Sequence, residues 1–136
     1  MQNIKKIEWE ESLFSGDPRI DLQHKYLVEI INELAETILE KRGRKAVGKI
    51  INLIKYYTLW HFEREEKCMH EVKCPASMVN KIAHVKFIKV FEGFHKEFLE
   101  KETVDELAVN MYNTLIDWLV KHIKKVDSQM RHCVHP

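Results

Sequence analysis

Long apolar runs are missing from this sequence. No stretch approaches the ~20 consecutive apolar residues that a membrane span requires, and Met1 to Lys6 lacks the apolar segment of a signal peptide. A soluble, cytoplasmic protein with no membrane partner is the expectation. A surplus of charge of one sign is missing as well: 22 Lys and Arg stand against 21 Asp and Glu, net +1, with both signs scattered along the chain. No basic face for nucleic acid is expected from that balance. Glycine and proline are scarce, at four and three in 136 residues, and β-branched clusters are few, which favours helix. Cysteine is scarce and odd in number, with Cys68, Cys74 and Cys133, so reduced thiols are expected rather than a disulfide framework.

The length suits one domain, 1–136, long enough to bury roughly two-thirds of its unfolded surface in one core. Residues 1–17 read as an N-terminal arm, because Trp9, Leu13 and Phe14 are apolar without a sustained period. Ser15-Gly16-Asp17-Pro18 is a turn signal in which Asp17 can cap a helix beginning at Pro18. Apolar stripes at spacings of three and four then predict helices at about 18–42, 45–70, 75–99 and 103–131, the last announced by the capping pair Thr103 and Glu106. Short connections make neighbours antiparallel, so the fold class is all-α: an up-down-up-down four-helix bundle with an N-terminal arm.

Each stripe carries a polar intrusion. His24 lies in Ile20, His24, Leu27, Ile31, Leu34, Ile38; His61 and Glu65 lie in Val47, Ile50, Ile54, Tyr57, His61, Glu65, Cys68. Asn80 and His84 precede Phe87, Phe91, Phe94 and Phe98, and His122 follows Met111, Leu115 and Trp118, with Asp127 five residues further on and rotated off the stripe. A buried imidazole or carboxylate costs several kcal/mol unless satisfied, so one intrusion per helix asks for a common cause. Alternating helix direction places His24 and His84, near helix starts, level with His61, Glu65, His122 and Asp127, near helix ends. Imidazoles and carboxylates meeting at one end of a bundle suit iron, manganese or zinc, and two carboxylates supply the bridges of a dinuclear centre.

The strings Gly16-Asp17-Pro18-Arg19-Ile20-Asp21-Leu22-Gln23-His24, His61-Phe62-Glu63-Arg64-Glu65-Glu66 with Met69, and Trp118-Leu119-Val120-Lys121-His122-Ile123 ending at Asp127 resemble those of the hemerythrins, in particular the bacterial ones. The resemblance spans nearly the whole chain. It implies a non-haem diiron centre that binds dioxygen reversibly, for storage, delivery or sensing, and not an enzyme. Carried over, His24 and His61 hold the iron with the open position, His84 and His122 hold the other, and Glu65 and Asp127 bridge them together with an oxo or hydroxo group. The family usually has a second histidine four residues before His84; here that residue is Asn80, which offers a weaker oxygen ligand or holds a water. That departure carries the alternative of a diiron redox enzyme or an iron-handling protein.

Leu27, Phe62, Trp118 and Ile123 lie near the ligands and are candidates to line a dry oxygen pocket, although apolar residues at helical spacing are usually core. His70, His95, His132 and His135 show no coherent pattern, and Lys41-Arg42-Gly43-Arg44-Lys45 reads as a solvated turn.

Overall fold

The computed structural model describes residues 6–8, 13, 15–101, 105–125, 129 and 133. Four helices account for most of them, and no strand occurs among the described residues: α1 Pro18–Leu39, α2 Arg44–Glu71, α3 Ser77–Glu100 and α4 Asp105–Lys125. Each packs against its neighbours in sequence and α4 closes back on α1, giving the expected four-helix bundle. No described helix is long and apolar enough to cross a membrane. Thr103, Trp9 and Asp127 lie outside the described residues.

Local chemistry sets the helix ends. Asp17 caps α1, its carboxylate accepting from the Arg19 and Ile20 amides at 2.8 and 3.3 Å, with Pro18 in the first turn. α1 stops three residues earlier than the stripe suggested. Lys41 turns to φ 51°, so its amide reaches the Ile38 carbonyl while the Arg42 amide reaches Thr37. The same motif ends α2, with Lys73 at φ 53°, Lys73 N donating to His70 and Cys74 N to Met69. α3 begins at Ser77, two residues after the expected Pro75, because residues 75 and 76 form a turn.

The stripes of α1 and α3 are buried largely as predicted, except that Phe94 is only half-buried. On α2 the inner face lies partly one residue along. Ile51, Thr58, Phe62 and Met69 are buried, whereas Ile50, Tyr57 and Cys68 are half-buried. An apolar face spans about 100° and is wider than a line of single residues, so two adjacent positions compete for it. The arm is tied down: Asn32 on α1 takes the Ile7 amide at 2.9 Å and gives to its carbonyl at 2.7 Å, and Leu13 is buried.

The thiol expectation needs correction. Cys74 and Cys133, 59 residues apart, form a disulfide that joins the α2–α3 turn to the segment after α4; an odd count accommodates one bridge and one free thiol. The bridge packs in a small apolar cluster with Ile20, Met69 and Ala76. Cysteine usage therefore no longer argues for a reducing compartment. The remaining thiol, Cys68, is pushed up to about 11 by burial and by Asp17 beside it, which keeps it protonated and poor at exchange.

Peptide mapping without reductant is expected to yield fragments joined through Cys74 and Cys133, with Cys68 alone alkylated. Cys133→Ser is expected to lower unfolding stability by about 4 kcal/mol, the chain-entropy value for a loop of this span. Urea unfolding curves that superimpose with and without reductant would rule the bridge out.

Candidate metal centre

Glu65 occupies the middle of the site, on α2 and one turn after His61, and is fully buried. The carboxylate is divided between two sets of partners. Its Oε2 lies 2.8 Å from His24 Nε2 and 3.3 Å from His61 Nε2, while its Oε1 lies 3.1 Å from His84 Nε2 and 2.8 Å from the Asn80 amide nitrogen. Three helices meet on one carboxyl group. The fourth joins through His122, whose ring lies 5.1 Å from that of His84, as the His24 ring lies 4.5 Å from that of His61.

All four imidazoles are buried. Burial by itself would push the Glu65 pKa up. The charge of His61 and hydrogen bonds from His24, His61 and His84 outweigh it and hold the group well below the usual carboxylate range. The site therefore offers an ionised carboxylate, the form that binds metal.

Two groups of ligand atoms result, each with all members within 4.8 Å of one another: His24, His61 and Glu65, and Glu65, His84 and His122. Two triads that share one carboxylate, one oxygen facing each, fit a pair of metal ions bridged by that carboxylate. Of the six expected ligands the structure brings these five together. The sixth, Asp127, is outside the described residues.

Asn80 is fully buried beside them, its amide nitrogen also 2.9 Å from Met69 Sδ. Phe62 stacks on the His84 ring at 3.7 Å and 6°, and Trp118 on the His122 ring at 4.4 Å and 13°, so both lie directly against the imidazoles. Leu27 and Ile123 are buried in the same apolar core.

Two residues that the stripes did not single out complete the surroundings. Gln23 Oε1 lies 2.7 Å from His61 Nδ1, and Glu66 Oε2 lies 3.1 Å from His84 Nδ1. Each fixes which ring nitrogen points at the centre, since an Nδ1–H given to an acceptor leaves Nε2 as the donor atom. Both partnerships cross between helices: Gln23 is next to His24 but serves His61, and Glu66 is next to Glu65 but serves His84. The available signal was generic, namely that a ligating imidazole needs an acceptor for its other nitrogen.

The sequence is matched over residues 15–131 by the family model for the hemerythrin HHE cation binding domain. It is 33% identical over 121 residues to a bacteriohemerythrin of Stenotrophomonas maltophilia (strain R551-3), covering 88% of this chain and 75% of that protein. A bacteriohemerythrin of Pseudomonas aeruginosa (strain LESB58) is 34% identical over 121 residues, covering 88% and 76%. In structure the chain is similar to wild-type hemerythrin, with TM-score 0.82 at 27% identity over 96% of this chain and 98% of that one. The bundle, the shared carboxylate with its imidazole pairs, and these likenesses agree, and the chain belongs to the hemerythrin family.

Proposed function

We propose that this protein holds two iron ions and binds dioxygen reversibly, without turning over an organic substrate. The observation that carries this reading is the division of Glu65, with Oε2 toward His24 and His61 and Oε1 toward His84. His24 and His61 are assigned to one iron, His84 and His122 to the other, with Glu65 as a bridge and Asp127 as a second bridge. The iron pair, when bound, supplies the electrons that dioxygen takes up and returns.

The remaining work falls to the chain. Gln23 and Glu66 hold their imidazoles with Nε2 toward the centre. Phe62 and Trp118, stacked on His84 and His122, exclude water from one side of the site. Dryness on that side favours carriage over consumption of dioxygen, because it keeps bulk water and its protons away. Redox chemistry or iron handling is the second reading, favoured by one observation: Asn80 stands where the family usually has a further imidazole.

Anaerobic reconstitution with ferrous iron distinguishes the two. Carriage predicts two irons per chain and an optical band that appears on admission of oxygen and vanishes on its removal over repeated cycles. Rapid, irreversible oxidation at the first exposure would sink carriage and leave the redox reading.

Glu66→Gln tests the assignment of His84. Weakening the acceptor of a ligating imidazole typically costs 10- to 100-fold in metal affinity. One of two binding steps in a cobalt titration is expected to weaken by at least about tenfold, with little change in the stability of the metal-free protein. Two unchanged steps would remove His84 from the ligand set.

A further inference from the structure

The orientation of Asn80 bears on how many positions the metal pair leaves for outside ligands, a question that rests on the diiron reading above. Asn80 is fully buried on the first turn of α3, one turn before His84. Its Nδ2 lies 2.8 Å from Glu65 Oε1 and 2.9 Å from Met69 Sδ. A thioether sulfur carries no hydrogen and can only accept, so the edge of the carboxamide turned to Met69 and Glu65 is its NH2. Turning the amide over would set two acceptor oxygens against each other in a site sealed from water. An amide N–H also has no lone pair available to a metal.

Asn80 thereby cannot replace the imidazole it stands for. In this orientation it clamps Glu65 and leaves the second side with the donors His84, His122 and Glu65, matching His24, His61 and Glu65 on the first. Its Oδ1 is buried without a hydrogen-bond partner among the described residues. An unused buried acceptor carries a desolvation cost that a ligand carrying an O–H or N–H would relieve.

We propose that the centre is symmetric in its imidazoles, two to each metal, and that it accepts small exogenous ligands at both metals, where three imidazoles on one side would confine them to the other. The ligand class is small inorganic anions and protic diatomic or triatomic species, bound one at each metal. Asn80 is a positioning residue in this arrangement. It steers the bridging carboxylate and presents Oδ1 to a protic ligand on the His84 side.

Azide titration of the iron-loaded, oxidised protein tests the proposal, with iron content measured on the same samples. The expected result is two irons and two azides per wild-type chain, and two irons with one azide for Asn80→His. Asn80→Ala removes the clamp without adding a ligand; it is expected to retain two azides and to lose about tenfold in affinity for one metal. Two irons with a single azide in the wild type would overturn the symmetric site while leaving the diiron reading intact, and a rise from one azide to two in Asn80→Ala would then mean that Asn80 is itself a ligand. Fewer than two irons per wild-type chain would overturn the diiron reading and this inference with it. Should Asn80→His fail to fold, the wild-type and Asn80→Ala azide counts decide the matter.

Discussion

Everything at the site end of the bundle depends on keeping one carboxylate ionised where water cannot reach it. Removing a carboxylate from water costs several kcal/mol after relaxation, and only well-placed partners offset that penalty. Glu65 has four: His24 and His61 at one oxygen, His84 and Asn80 at the other. They come from α1, α2 and α3, so satisfying one group sets the axial register of three helices. A slide of α1 or α3 by one turn, about 5.4 Å, would carry the partners on that helix beyond hydrogen-bond range.

The same requirement explains why function can be lodged in so small a core. The apolar layers of Ile31, Leu34, Ile54, Phe91, Met111 and Leu115 carry the association of the helices, leaving the turns at one end of the bundle free to be polar. Phe62 and Trp118 mark the boundary, packing their rings against the first imidazoles and against Phe87 on the other side. Rigid aromatic stacking there limits the rotation of His84 and His122, which a site holding ions at fixed distances requires.

Much of this was legible from residue order, because helical periodicity is local and helix direction follows from connection length. The stripes of α1 and α3 and the convergence of His24, His61, Glu65 and His84 depend on nothing else. The two α2 positions at each turn were harder: Ile50 against Ile51 and Tyr57 against Thr58 differ by 100°, and the neighbouring helices decide which is inside. Cys74 with Cys133 was not legible, since pairing over 59 residues is set by where the chain returns and not by spacing. Nor were Gln23 and Glu66, each serving an imidazole on another helix.

Those outer contacts make the two halves of the centre unequal even though each has two imidazoles. His61 leans on the neutral Gln23 amide, whereas His84 faces the Glu66 carboxylate, whose side chain is 29% exposed. A carboxylate accepts the Nδ1 proton more strongly than an amide and makes the opposite nitrogen the better donor. The stronger acceptor thus stands on the side that also carries Asn80. With equal numbers of imidazoles in the two halves, the acceptor behind each ring is what distinguishes them. Because Glu65 joins both halves, any change in donor strength at His84 is transmitted to the His24 and His61 side through a single carboxylate.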